Sequence, residues 1–244
     1  MALFSILTLF PDVVEAYLDT GVLGQARARG VVSCQTIDFR DFARDRHRTV
    51  DDRPFGGGPG MVLRPEPLVE AVEWVDERFG RHRRIALSPE GATFDQRRAE
   101  ALASSMAGDD AKPVMLLCGR YEGFDERALE LLEVERLSVG DYVLAGGELG
   151  ALVVVEAATR LLPGALGDAR SAVEDSFSTA RGGGLDHPHY TRPRSYRGLD
   201  VPDVLMSGDH ARIEAWRRAR SHERDRARPG AAEPTDAAEE KSDE

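Results

Sequence analysis

The sequence predicts an α/β fold built on a mostly parallel sheet, and three observations predict it. Apolar runs of strand length alternate with amphipathic segments of helix length up to about residue 162, the pattern of strands joined by helical crossovers. Leu3 to Leu9 and Pro113 to Cys118 read as buried strands. The candidate strands run into loops at Ser88, Gly119 and Gly140, and ligands of parallel sheets bind at such carboxyl ends.

In chain order, Leu3 to Leu9 is the first strand, and Phe10-Pro11-Asp12 opens a helix with proline in its first turn. Val31 to Ile37 is the second strand. Arg40 to Gly60 alternates arginine with aspartate and ends in four glycines within five residues; it reads as a long loop, and long ordered loops are usually functional. Pro65 and Pro67 introduce a helix to about Phe79, with Leu68, Val69, Val72 and Val75 along one face. Arg84 to Leu87 is a strand ending at Ser88-Pro89-Glu90-Gly91, followed by a helix from Asp95 to Met106. After the strand Pro113 to Cys118 comes Gly119-Arg120-Tyr121-Glu122-Gly123, and Asp125 caps another helix. An apolar run broken by acids, Leu131 to Val139, leads to Gly140-Asp141, then Gly146-Gly147, and Glu148 opens an apolar helix to about Leu162.

Beyond Leu162 the character changes. Pro163-Gly164 ends the helix, and residues 163–177 read as a flexible linker or lid. Residues 178–228 form a small second domain, without periodicity at first and helical and arginine-rich from about Asp203. From Pro229 the chain is an Ala/Glu/Asp tail of the composition that stays disordered. The domain boundaries are therefore 1–162, 163–177, 178–228 and 229–244.

Composition narrows the function. The net charge of −11 argues against a nucleic-acid partner until its distribution is read. The tail from Ala231 holds six acids against Lys241, whereas Arg192 to Arg228 holds ten arginines against six acids, leaving room for RNA on a basic face. No apolar run reaches the length of a membrane span, and the start lacks the basic flank of a signal peptide, so a cytoplasmic protein is expected. Cys34 and Cys118 have no nearby partner cysteine and read as buried, inert thiols.

The stretch Leu137 to Gly150 is the expected centre of function, because its glycines let backbone groups approach a bound molecule. A Walker loop is excluded: it needs Gly-Lys, and Lys112 and Lys241 follow Ala111 and Glu240. The dinucleotide fingerprint G-x-G-x-x-G is absent as well. From residue type alone, Arg160 four residues after Glu156 has the spacing of a helical ion pair, and Asp175 could cap a helix. Tyr121 and Glu122 could staple the next helix, and His187 and His189 read as loop packing; no metal is expected.

Five blocks carry a resemblance: D-R-H-R-T-V-D-D-R-P-F-G-G-G-P-G-M (45 to 61), L-C-G-R-Y-E-G-F-D-E-R (117 to 127), S-V-G-D-Y-V-L-A-G-G-E-L (138 to 149), E-D-S-F (174 to 177) and H-P-H-Y-T-R-P (187 to 193). The chain resembles bacterial tRNA (guanine-N1)-methyltransferases of the TrmD type, in the SPOUT superfamily, collinearly from about Phe4 to Arg217. The resemblance implies a trefoil-knotted α/β domain with a small helical C-terminal tRNA-binding domain, an obligate homodimer, and S-adenosyl-L-methionine as cofactor. It further implies tRNA as substrate, methylated on guanosine 37 beside the anticodon. Cofactor contacts carry over to Leu87, Ser88 and Pro89, to Gly119 and Tyr121, and to Ser138, Val139, Gly140, Asp141, Tyr142, Val143, Leu144, Gly146 and Gly147. Asp175 becomes the base, Arg160 its electrostatic partner, and Glu122 a neighbour in catalysis. Asp51, Arg53, Gly58, Pro59 and Gly60 become substrate contacts. The chain departs from the family past its last helix, where S-H-E-R-D-R-A-R-P and the acidic tail replace a basic and apolar segment. Two other readings compete: a non-catalytic RNA-binding or assembly factor on the same scaffold, and a methyltransferase acting on ribose hydroxyl.

Overall fold

The computed structural model describes residues 1–168 and 170–228. The tail expected to be disordered lies outside the described residues. The chain divides into two compact units, Met1–Ala172 and Val173 onward, described in turn.

Unit 1 is a five-stranded parallel sheet between two helical layers. In chain order it comprises β1 (Ala2–Thr8), α1 (Pro11–Leu18), α2 (Gly21–Ala28), β2 (Val32–Asp38), the short strands β3 (Asp51–Asp52) and β4 (Val62–Leu63), α3 (Pro65–Phe79), β5 (Arg83–Thr93), α4 (Gln96–Ser105), β6 (Val114–Cys118), α5 (Glu126–Leu131), β7 (Glu135–Ser138) and α6 (Glu148–Thr159). The strand order is β2-β1-β6-β5-β7, and every pairing within it is parallel.

Side chains alternate across this sheet because successive Cβ atoms of a strand point to opposite faces. Val114, Leu116 and Cys118 of β6 pack with Val14 and Leu18 of α1, Leu23 of α2, Leu102 of α4 and Val154 and Val155 of α6. Met115 and Leu117 pack on the other face with Leu68, Val72 and Val75 of α3 and Leu129 of α5. Burial on both faces explains why the inner strands are apolar without polar alternation.

Local signals set several boundaries. Proline stands in the first turn of both α1 and α3, where no backbone hydrogen bond is lost. The side chains of Asp95 and Asp125 accept hydrogen bonds from the backbone N–H groups of Arg98 and Arg127, capping α4 and α5.

The structure differs from the sequence reading at four places. Helix α2 was not anticipated. Strand β5 does not end at Leu87: both Leu87 and Ala92 align with Leu137 of β7, so the four residues between them bulge out of the ladder and the strand resumes. The loop from Arg40 contains a 3-10 turn, Phe39–Phe42, and the small β3-β4 pair. The segment expected to be a flexible linker or lid begins with Ala165 buried and Arg29 donating to the carbonyls of Gly164 and Ala165, and it contains a short helix that the sequence reading did not include, α7 (Arg170–Glu174).

Unit 2 holds a two-stranded hairpin, β8 (Ser195–Tyr196) with β9 (Leu199–Asp200), and one long helix, α8 (His210–Ala227). Asp209 caps α8 by accepting from the Arg212 N–H. Tyr190 and Trp216 pack with ring centroids 6.2 Å apart, and Ser221 of α8 donates to the Leu185 carbonyl. Among the described residues, no helix is long and apolar enough to cross a membrane.

Candidate active site

The carboxyl ends of β5, β6 and β7 open into a single cavity of about 490 Å³, within the range of small-molecule sites. The residues following each strand form its walls. The β5 bulge brings Ser88, Pro89 and Glu90 to one side, Gly119 to Phe124 after β6 form the floor and rim, and Val139, Gly140 and Tyr142 to Gly147 after β7 close the other side.

The loop after β7 is ordered by its own backbone. Ser138 Oγ donates to the Gly140 carbonyl, the Tyr142 N–H donates to the same carbonyl at 2.9 Å, and the Tyr142 hydroxyl donates to the Val139 carbonyl. The far end of the loop is fastened to the β6 loop, where the Gly147 N–H donates to the Gly119 carbonyl at 2.9 Å. A Cβ on Gly147 would lie 2.8 Å from the Cα of Cys118, a contact with backbone that no rotamer relieves. Only glycine fits there.

Beneath this seam lies a buried ion pair. Glu148, the first residue of α6, is 3% exposed. Arg120 Nη2 approaches its Oε2 at 2.9 Å, and the Thr8 hydroxyl donates to its Oε1 at 2.8 Å. Arg120 also donates to the Ala145 carbonyl and lies over the Phe10 ring, 4.3 Å from its centroid. The carboxylate stands at the amino end of α6, where the helix dipole favours negative charge.

The long loop is joined to the same cavity. The Glu122 N–H donates to the Met61 carbonyl at 2.9 Å, and the Leu63 N–H donates to the Gly123 carbonyl at 2.8 Å. A Cβ on Gly60 would fall 2.2 Å from Glu122 Oε1, and φ there is +83°. The Gly60 position is thus both close-packed and left-handed. Asp51 lies in β3, while Arg53, Gly58, Pro59 and Gly60 are exposed on the loop that ends beside Glu122.

Thirteen of the fourteen residues expected at the cofactor line the cavity; Asp141 does not. Glu122 lines it as well, whereas Arg160, at the end of α6, does not. Asp175 immediately follows α7 and belongs to unit 2. Asp175 does not precede a helix in the manner of an N-cap. Sequence reasoning missed the Arg120–Glu148 pair; an acid opening an otherwise apolar helix was the available signal. Both thiols are buried, and burial pushes Cys34 up to about 12 and Cys118 well above its ordinary range, which suits inert core residues.

The family model described as tRNA (Guanine-1)-methyltransferase TrmD matches residues 2–231. A tRNA (guanine-N(1)-)-methyltransferase of Rhodopirellula baltica is 51% identical over 224 residues, covering 91% of this chain and 89% of the relative. Proteins of the same name from Halorhodospira halophila and Halalkalibacterium halodurans are 52% and 49% identical, over 87% and 89% of this chain and 77% and 85% of their own. With three of the five sequence blocks placed on one sheet end and its adjoining loops, and with the match running through both units, this chain belongs to the tRNA (Guanine-1)-methyltransferase TrmD family.

Proposed function

We propose that the protein methylates N1 of guanine 37 in tRNA, with S-adenosyl-L-methionine as methyl donor. The observation that carries this reading is the near full-length similarity to relatives named for that activity, joined to a cavity walled by the matched glycine loops. Those names favour catalysis over a non-catalytic RNA-binding factor, and base over ribose as acceptor.

The cavity suits the proposed cofactor. Its walls combine apolar residues, Leu87, Leu137 and Val139, with the Gly119 and Gly140 loops, and the space beside Gly147 would be closed by any side chain. Such a mix holds a nucleoside against apolar surface and reads its edges with backbone groups. When bound, the cofactor supplies an electrophilic methyl group, so the protein's task is alignment.

Guanine N1 carries a proton at neutral pH, and a base must remove it as the methyl arrives. The Asp175 carboxylate is the proposed proton acceptor. Negative charge then grows on the guanine carbonyl oxygen, and the Arg160 guanidinium is the proposed partner of that charge. Glu122, at the junction of the cavity and the Gly60 loop, is the proposed group that orients the base, and Asp51, Arg53, Gly58, Pro59 and Gly60 are the proposed RNA contacts.

The reading includes a homodimer acting in the cytoplasm, with the trefoil knot of the SPOUT superfamily. An exposed apolar face supports the dimer. Phe10 at the start of α1, Val13 and Tyr17 along it, and Leu149 and Val153 along the neighbouring α6 are all exposed, and clustered exposed apolar side chains suit a protein–protein contact. Because Phe10 also carries Arg120, that face begins beside the cavity.

The deciding experiment is methylation of a tRNA anticodon stem-loop with labelled S-adenosyl-L-methionine, followed by mass mapping of the product. One methyl group on N1 of guanine 37 is expected. Methyl transfer to another position, or none with folded enzyme, overturns the reading.

A further inference from the structure

In unit 2 the stretch Asp186-His187-Pro188-His189 turns two imidazoles onto one carboxylate. His187 Nδ1 lies 2.7 Å from Asp186 Oδ1, and His189 Nε2 lies 2.8 Å from Asp186 Oδ2. The two rings sit with centroids 4.5 Å apart, and one donor atom from each of the three residues falls within 4.8 Å of the others.

The segment is held in place by its surroundings. The Asp186 N–H donates to Ser176 Oγ at 2.9 Å, and Arg224 donates to the Asp186 carbonyl at 2.9 Å. The Leu185 N–H donates to the Asp225 carboxylate at 2.7 Å, and the Ser221 hydroxyl donates to the Leu185 carbonyl. His187 is buried and His189 is exposed, so the cluster has a fixed wall and an open mouth. Arginines oppose a cation there: Arg181 Nη2 stands 3.4 Å from Asp186 Oδ1, and the Arg217 charge acts on His187.

We propose that Asp186, His187 and His189 form a binding site for a borderline divalent metal ion, of which Zn²⁺ is the type. Two imidazoles and one carboxylate suit zinc, cobalt or nickel, whereas magnesium and calcium take oxygen ligands. A tetrahedral ion with bonds of roughly 2.0–2.1 Å needs its donors about 3.3 Å apart. The imidazoles must therefore draw back from the carboxylate by about half an ångström. The exposed His189 can do so freely, and the hydrogen bonds on the Asp186 backbone keep the carboxylate in place. Three protein ligands leave a fourth position for water. The ion replaces the hydrogen bond between Asp186 and His189, and it competes with Arg181 for the carboxylate.

The full-length protein, stripped with a chelator, is titrated with Co²⁺ while the visible absorption is followed, and with Zn²⁺ against a chromophoric competitor. One equivalent is expected, unaffected by millimolar Mg²⁺. His189→Ala, on an exposed side chain, should weaken Zn²⁺ binding by about tenfold or more, the size of effect known for changes around metal sites, with the circular dichroism unchanged. Arg181→Gln should tighten it, because the competing cation is gone. The proposal is overturned if the folded wild type gives no cobalt band, if Mg²⁺ displaces the ion, or if His189→Ala binds as tightly as wild type. That last result would assign the ion to other histidines, such as His210 or His222.

Discussion

Glu148 and Arg120 meet at 2.9 Å beneath the cavity, and the two side chains retain 4% and 26% of their exposure. Their pairing joins the start of α6 to the loop after β6 and supports the glycine seam above. Removing one partner of a buried pair leaves a charge without compensation, at a cost of about 3–5 kcal/mol. Glu148→Ala should therefore lower the unfolding free energy, measured by urea titration, by an amount in that range. Thr8→Val, which removes one hydrogen bond to the charged carboxylate, should cost about 1.5–3 kcal/mol. A Glu148→Ala variant as stable as wild type would contradict this assignment.

Gly146 faces the same pair. A Cβ there would lie 2.2 Å from Arg120 Nε and 2.5 Å from Glu148 Oε2. Gly146→Val should force the seam apart, weakening S-adenosyl-L-methionine binding by about tenfold or more, or 1.4 kcal/mol and upward, while the secondary structure persists. Calorimetric titration beside circular dichroism checks both, and unchanged affinity would move the cofactor elsewhere.

Asp175→Asn keeps the size of the side chain and removes its ability to take a proton. A general base contributes about a hundred- to ten-thousand-fold. The single-turnover rate at saturating tRNA and cofactor should fall by that factor, with cofactor affinity little changed. A purely structural role predicts a rate within about threefold of wild type once folded, too small a change for a proton acceptor.

If the base and the cofactor loop of one active site come from different subunits, two inactive variants should complement each other. Mixing Gly146→Val with Asp175→Ala subunits should restore part of the activity after exchange. Absence of recovery in verified heterodimers would place both groups in one chain.

His82 gives stability a pH dependence. It is buried between α3 and the sheet, with Nε2 2.9 Å from Ser5 Oγ and Nδ1 near the Asp76 carboxylate and the Gly80 carbonyl. Burial pushes its pKa below the ordinary histidine range, outweighing Gly80 and Asp76, which raise it, and Arg84 lowers it further. The unfolded chain therefore binds the proton more readily than the folded one. Stability from this group is full above the unfolded pKa of about 6.5 and is lost as pH falls through that value toward the folded pKa. Urea midpoints at pH 7.5 and 5.5 should differ more for wild type than for His82→Gln.

Much of unit 1 was legible because its signals are local. Prolines at the start of α1 and α3, aspartate caps on α4 and α5, and the apolar strands β1 and β6 each declare themselves within a few residues. Helix α2 was not legible, since Gly21 and Gly24 dilute its apolar face. The β5 bulge was misread because Ser88-Pro89-Glu90-Gly91 has the composition of a turn, and only the partner residue Leu137 shows that the strand resumes. The glycine walls of the site were readable from composition and spacing. Arg120 and Glu148 were not, because they are 28 residues apart and only the fold makes them neighbours.

The place of β1 between β2 and β6 also has a meaning for synthesis. Its partner on one side begins at Val32, but on the other Phe4 pairs with Val114, 110 residues further along. At roughly 5–20 residues per second, the second partner leaves the ribosome on the order of 5 to 20 s after β1 does. Once β2 has emerged, and until β6 follows, the nascent chain carries an apolar strand with one edge satisfied and the other open.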